Sequence, residues 1–568
     1  MVGNAYDVLV IGSGFGGSIA ACRLALAQWQ KRNKVSVCVL ERGRRYNRGE
    51  FPRSLRRSKD WWWQDEGKGG WTGLFDFQTF ENISVLRASG VGGTSLVYLD
   101  VQIEAFQSTF DIVGPEGQKR WPSSVDWRDT QEMPRYYQKV YDMLRPSPIP
   151  DPSLKTLALR AGAKGAGIQD RFWLPDLAIY WGKEGGERGV LRKDPYQRNG
   201  PPQSGCAYCG ECFIGCNIHA KNTLDLNYLW LAQASGAEVF SQHKVTAIRP
   251  NAPSHPVHAR GFTVTYEDLR WGFSGEVSAG KVIVAAGSLG STELLLRSKY
   301  DHCRDKKEHR ATLPAISSRL GSFFSGNGDF GAVAFETNRL TNTMEGPTIT
   351  GVVDFRDRLG GHGFIVEDGG FPDILRAGLK RLPGGLASGR RWIEWLQHLL
   401  GRLAQRPGSR ARLIEGLFNQ LDFDAVRDAL PYLVMGIDAA DGQMDLDRNT
   451  GQLKINWDHS NSLPFIREIE KTLRQISENP TPGLDGNLMV NPSWSAQKQL
   501  VTVHPLGGCP MGDNESKGVV NPQGEVFNYP NLYVVDGAIV PSAIGPNPSK
   551  TIGALAERVA EHLIQQGI

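Results

Sequence analysis

Residues 6–11 (YDVLVI) form a short, β-branched apolar run, the pattern of a parallel strand covered on both faces. The run breaks into Gly12-Ser13-Gly14-Phe15-Gly16-Gly17, and the alanine-rich stretch 18–27 then favours a helix. A second apolar run, 35–40, ends on Glu41. Strand, glycine loop, helix, strand and acid in that order predict a dinucleotide-binding βαβ unit. Gly12 permits the tight turn, Gly14 lets the backbone approach a pyrophosphate, and Gly17 allows close helix–strand packing. The helix start offers free N–H groups and partial positive charge to phosphates, while Glu41 would accept from ribose hydroxyls. This unit alone does not separate FAD from NAD.

Near the other end, 532–535 is a short apolar run that stops at Asp536-Gly537. A helical period follows over 552–564, behind Asn547-Pro548-Ser549-Lys550-Thr551. Pro548 prevents extension backwards, and Ser549 or Thr551 is expected to cap the helix. Its N-terminus would stabilise negative charge on a ligand in front of it. Residues 443–457 alternate about the turn Asn449-Thr450-Gly451 and predict antiparallel strands. The stretch 376–412 holds nine basic residues against one acid, Glu394, and places Trp392, Ile393, Trp395, Leu396, Leu399, Leu400 and Leu403 on one helical face. It reads as a core-facing helix with a solvated basic side, or as a contact with an anionic membrane surface. Trp61, Trp62 and Trp63 with Trp71 and Phe75 read as an apolar lid or as a packed loop.

Composition narrows this picture modestly. At 568 residues, with 40% hydrophobic and 22% charged, the chain suits a globular protein of more than one domain. A net charge of +4 gives no argument for nucleic acid as a partner. Neither a cleavable leader nor an 18-residue apolar run is found, so a cytoplasmic location is expected, with surface contact to membrane as the variant. Of eight cysteines, four crowd into Cys206, Cys209, Cys212 and Cys216. Their C-x2-C-x2-C-x3-C spacing matches the bacterial ferredoxin run, except that Asn217 stands where proline is usual. An iron–sulfur cluster and a structural loop of buried thiols are both open readings.

The motifs carry a further resemblance. The N-terminal glycine loop, Gly90-Val91-Gly92-Gly93-Thr94-Ser95, Ala285-Ala286-Gly287-Ser288, His504-Pro505-Leu506-Gly507-Gly508-Cys509 and Asp536-Gly537 with Asn547-Pro548 occur in order along nearly the whole chain. Together they resemble the glucose–methanol–choline (GMC) oxidoreductases, and within them the cholesterol-oxidase-like branch with non-covalent FAD. The resemblance implies an α/β fold, with a Rossmann-type (glutathione-reductase-like) FAD domain over 1–120, 200–300 and 500–568. An inserted α+β substrate domain with an antiparallel sheet is implied over 121–199 and 301–499. FAD contacts are implied at Gly12, Gly14, Gly17, Glu41, Gly92, Gly93, Ser95, Val245, Gly287, Asp536, Gly537 and Thr551. His504 matches the family's active-site histidine and Asn547 the asparagine beside the flavin edge. Glu367, in Phe364-Ile365-Val366-Glu367-Asp368, resembles the glutamate that shifts a sterol double bond, with Asp368 as a competing carboxylate.

The activity implied is hydride removal from an alcohol, a sterol or another bulky apolar one, with oxygen, a quinone or an acceptor protein taking the electrons. The alternatives are a long-chain alcohol or sugar-type dehydrogenase wired through the cysteine loop, and a flavin-binding electron-transfer module without an alcohol substrate.

Overall fold

The first apolar run becomes the strand Ala5–Ile11, and Val8, Leu9 and Val10 within it are wholly buried because both faces are covered. It pairs in parallel with Val37–Glu41 on one side and Phe273–Val284 on the other. Glu238–Ser241 extends the parallel set beyond Val37–Glu41. The long strand Phe273–Val284 divides its remaining edge. Its first half pairs antiparallel with Phe262–Asp268, which pairs in turn with His243–Pro250. Its second half takes Leu532–Val534 in parallel. The chain therefore returns to its starting sheet more than 500 residues later, and Val535 lies so close to Gly16 that a Cβ there would overlap the Val535 carbonyl. The molecule is described here as a computed structural model covering residues 2–567 apart from 28–34, 55–56, 65–69, 115–116, 126–131, 184–185, 197–199, 256, 301–310, 358–362, 373–426, 448 and 481–482.

The helices Phe15–Leu26 and Ser549–Gln565 pack together on this sheet. They are fastened by a bidentate pair, Arg23 donating to both oxygens of the buried Glu557, which also accepts from Tyr228 Oη at 2.9 Å. The second helix starts at Ser549, with Pro548 in the capping position and no side-chain cap. Thr551 Oγ1 instead pairs with Tyr137 Oη, so the expected cap at Ser549 or Thr551 does not form.

A second sheet is antiparallel throughout and runs Asn487–Val490, Phe330–Phe335, Leu430–Gly436, Phe364–Asp368, Val352–Asp354, Phe172–Trp173. Period-two alternation sends Phe364, Val366, Val353 and Val434 into one core with the helices Leu154–Gly165 and Leu463–Ser477. The second helix buries Phe465, Ile466, Ile469, Leu473 and Ile476, the spacing of one amphipathic face. The intervening positions Val352, Ile365, Met435 and Ile437 enter another core that includes Phe106, Leu177 and Ala543. The fold is thus mixed α/β with a doubly covered parallel sheet and an antiparallel one.

The predicted alternation at 443–457 is a hairpin, Gln443–Leu446 with Leu453–Asn456. Asp447 Oδ1 organises its turn by accepting from the N–H groups of Asn449 and Thr450. Trp61 and Trp63 are buried, and Phe75 stacks on Trp61 and on Phe213, so the tryptophan run is a packed loop. The basic stretch 376–412 lies outside the described residues. Among the described residues no helix is long and apolar enough to cross a membrane.

Candidate active site

At the nucleotide end, Gly12 has φ +96°, and a Cβ there would overlap the backbone of Ala285. A Cβ on Gly17 would overlap the carbonyl of Gly12. Gly14 differs: a Cβ would meet nothing within 4 Å of it. It caps the helix Phe15–Leu26 without a side-chain hydrogen bond, so the first N–H groups face open space. Gly92 (φ +107°) and Gly93 (φ +58°) bring a short 3-10 turn against the same loop, where a Cβ on Gly93 would sit 2.5 Å from Gly14 Cα. Ser95 Oγ pins that turn, donating to Gly92 O at 2.6 Å and accepting from Leu224 N at 3.1 Å.

Glu41 ends its strand with Oε2 accepting from Ser13 N (3.0 Å) and Ser13 Oγ (2.7 Å), and Oε1 from Gly43 N (2.7 Å). Its carboxylate is held by the glycine loop and keeps lone-pair capacity for a further donor. Val245 is half-buried on the neighbouring strand, two residues beyond the start of His243–Pro250; just before that strand, Gln242 N donates to Gly43 O. Asp536 accepts from Ala538 N, Gly287 N (2.8 Å) and Ser291 Oγ (2.5 Å), so it ties the C-terminal strand to the turn at Gly287. Burial raises its pKa, opposed by those three donors. Gly287 (φ +81°) and Gly14 leave open space for a ligand, and Asp225 Oδ1 is buried without a partner beside Gly92. Open glycines, an uncapped helix start and an orphaned polar atom fit a bound FAD.

The chemical end is built from both sheets. His504 follows the short strand Leu500–Thr502, and its Nδ1 lies 2.8 Å from Asp329 Oδ1. Asn547 follows a buried turn, and its Nδ2 lies 3.5 Å from Glu367 Oε2. Glu367 is wholly buried, and burial pushes its pKa well above the carboxylate range; Asp368 and Asp329 push the same way, whereas Asn547 opposes them. Glu367 Oε1 and Asn547 Oδ1 are buried with no partner, as groups awaiting a ligand are. Strand alternation separates Glu367 from Asp368, which turns to the opposite face. There Asp368 accepts from Lys155 Nζ, Thr156 Oγ1, Thr350 N and Gly351 N and is fully engaged. Of the two carboxylates, Glu367 is therefore the one beside Asn547.

Around Glu367 the sheet is apolar. Its directly opposed residues are Leu433 on one neighbouring strand and Val352 on the other, and Val352 in turn faces Trp173. Ile365 and Met435 form the next row on that face.

The cysteine loop carries two open readings, an iron–sulfur cluster and a structural loop of buried thiols. Cys206 and Cys212 are buried, and burial raises both thiols rather than stabilising thiolates. Cys212 lies against the carboxyl of Asp100, itself pushed up to about 7 by burial, with Lys221 Nζ 3.8 Å from Oδ1. Lys221 Nζ also reaches the carbonyls of Tyr98 and Cys212, filling the interior of the loop. Cys216 Sγ accepts from Ala220 N at 3.1 Å, and Cys209 is exposed. Among the described residues no three Cys, His, Asp or Glu side chains converge as on a metal ion. The four cysteine side chains thus lack the convergence that an iron–sulfur cluster needs. The buried-thiol reading is the one this loop supports.

Asp329 and Asn327 had no motif to mark them. Their only cue was the glycine-bearing run Ser325-Gly326-Asn327-Gly328 ahead of the alternating strand Phe330–Phe335, and Asp329 meets His504 across 175 positions.

Two family models, both described as GMC oxidoreductase, match residues 6–320 and 438–556. A cholesterol oxidase of Acinetobacter baumannii is 28% identical, with 98% of this chain and 94% of that protein covered. A 2-methyl-1,2-propanediol dehydrogenase of Mycolicibacterium austroafricanum is 25% identical over 98% of this chain and 95% of its own length. Among solved structures, a fungal aryl-alcohol oxidase superposes with a TM-score of 0.58 at 16% identity, covering all of both chains.

Proposed function

The chain belongs to the GMC oxidoreductase family and is an FAD-dependent alcohol oxidoreductase, and on that premise we propose that it oxidises a bulky apolar alcohol of the sterol type with oxygen as acceptor. The observation that carries the substrate class is the apolar sheet face of Leu433, Val352, Trp173, Ile365 and Met435 around a single buried carboxyl, Glu367, beside Asn547. A substrate entering beside this packed apolar face finds few partners for a sugar's many hydroxyls, which at about one to three kcal/mol per unpaired group disfavours sugars.

The assigned roles follow from position. Gly12, Gly14, Gly17, Glu41, Gly92, Gly93, Ser95, Val245, Gly287, Asp536, Gly537 and Thr551 line the proposed cofactor site. FAD, when bound, supplies the hydride acceptor. His504 takes the hydroxyl proton through Nε2, the ring nitrogen that Asp329 leaves free. Asn547 holds the substrate oxygen with its amide and adds no titrating group. Glu367, made more basic by burial, can take a proton from one carbon of an apolar substrate as the carboxylate and return it to another as the acid.

The similarity to a cholesterol oxidase supports the sterol, and the same similarity, with that to a long-chain-alcohol oxidase of Arabidopsis thaliana, supports oxygen. Anaerobic bleaching of the flavin by cholesterol, 1-dodecanol and glucose tests the substrate, and peroxide formation in air tests the acceptor. Bleaching by cholesterol with peroxide release is expected. Bleaching by glucose alone, or turnover only with a quinone, would overturn the respective half of the proposal.

A further inference from the structure

We infer that the segment Ser325-Gly326-Asn327-Gly328-Asp329 is the positioning element of this active site, and that Asp329 decides which nitrogen of His504 carries the proton. The inference rests on the proposal that His504 acts on the substrate hydroxyl. Asp329 Oδ1 faces His504 Nδ1 at 2.8 Å, while its Oδ2 accepts from Val503 N at 2.8 Å and is reached by Thr502 Oγ1 at 2.8 Å. Thr502 Oγ1 also lies 3.0 Å from Gly326 O and accepts from the backbone N–H of His504 at 2.9 Å. An aspartate held this way presents only lone pairs to the imidazole. The ring proton is therefore placed on Nδ1, and Nε2 keeps the lone pair a base needs.

The same five residues hold the other half of the site. Asn327 is wholly buried with φ +53°, a left-handed conformation that asparagine tolerates. Its Oδ1 accepts from Ile544 N (2.9 Å), and its Nδ2 donates to Gly545 O (3.2 Å) and Pro546 O (2.9 Å), the turn that delivers Asn547. Ser325 exchanges backbone bonds with Leu506, N to O at 3.1 Å and the reverse at 3.0 Å, two residues past His504. From behind, Asp438 accepts from Ser325 Oγ at 2.7 Å and Gly328 N at 2.9 Å. One short segment thus grips His504 from both sides and fixes the turn before Asn547, so the two site residues keep their spacing although no direct bond joins them.

Asp329→Asn is the test. Val503 N requires an acceptor, so the amide oxygen turns to it and the amide NH2 faces Nδ1; the imidazole proton must then move to Nε2. In the holoenzyme with cholesterol or 1-dodecanol, kcat is expected to fall roughly 10²–10⁴-fold, the size of general-base catalysis, with KM and flavin content little changed. The second readout is the tautomer itself, from 15N spectra of histidine-labelled protein with His504 assigned by its loss in His504→Gln. The wild type should show Nδ1–H and the variant Nε2–H. Wild-type His504 carrying Nε2–H, or a variant with full kcat, overturns the inference, and the wild-type spectrum decides it even if the variant fails to fold. If the wild type turns over neither alcohol, the functional proposal fails while the tautomer still decides the positioning.

Discussion

Replacing Gly14 with alanine separates the two reasons a glycine loop contains glycine. At Gly14 the backbone is at φ −73° and ψ −165°, which any L-residue adopts, and an added Cβ meets no protein atom within 4 Å. The polypeptide alone therefore tolerates the methyl. The lost unfolded-state entropy favours alanine by about 0.4–1 kcal/mol, which roughly offsets the similar cost of alanine as the poorer cap. The cofactor does not tolerate it, because the open space before the helix Phe15–Leu26 is where a pyrophosphate would approach the free N–H groups. Lifting a phosphate off two charge-assisted hydrogen bonds loses about 1.5–3 kcal/mol each, so FAD affinity should fall at least about 10²-fold.

The assay is FAD content of the purified protein together with FAD titration into deflavinated protein followed by flavin fluorescence. Denaturant unfolding of the same deflavinated samples gives the stability. Gly17→Ala is the contrast, since its Cβ would overlap the Gly12 carbonyl and the variant should fail to accumulate as folded protein. A Gly14→Ala protein that binds FAD as tightly as the wild type would refute the placement of the pyrophosphate at this helix. Equal loss of stability in both variants would refute the distinction between them.

Two further outcomes follow from the buried acids. Glu367→Gln preserves the shape of the side chain but removes the group that could accept a proton, so alcohol oxidation should continue while the double-bond shift of a Δ5 sterol is lost; chromatography of the products checks it, and an unchanged conjugated product would count against the role. For Asp225, burial raises the pKa from 3.8 to about 6, so the folded state holds a proton that the unfolded chain releases. Its contribution is fully present below pH 4 and is lost as pH rises through about 6, up to roughly 3 kcal/mol before screening at its partly exposed edge. Asp225→Asn should therefore gain on the wild type between pH 4.5 and 7.5, read as a growing difference in Tm of the deflavinated proteins; a constant difference would refute it.

Sequence by itself determined the N-terminal βαβ unit, because all of it lies within 41 residues. The buried part of a parallel strand must be apolar, the turn must be glycine where φ is positive, and an acid ends the next strand; each demand leaves a residue type at a fixed spacing. The hairpin at 443–457 was legible for the same local reason. His504, Asn547 and Glu367 were named by resemblance, but the chain order does not say that Glu367 rather than Asp368 faces the site. That depended on strand alternation within a six-stranded sheet and on Lys155 engaging Asp368 from the other side. The cysteine spacing pointed two ways because thiols near in sequence are either ligands or core, and the placement of the four side chains, which do not converge, made the difference. Asp329 and Asn327 were decided by tertiary structure alone. A hydrogen bond across 175 positions needs one acceptor at one point in space, and a lone aspartate after a glycine leaves no periodicity by which to find it.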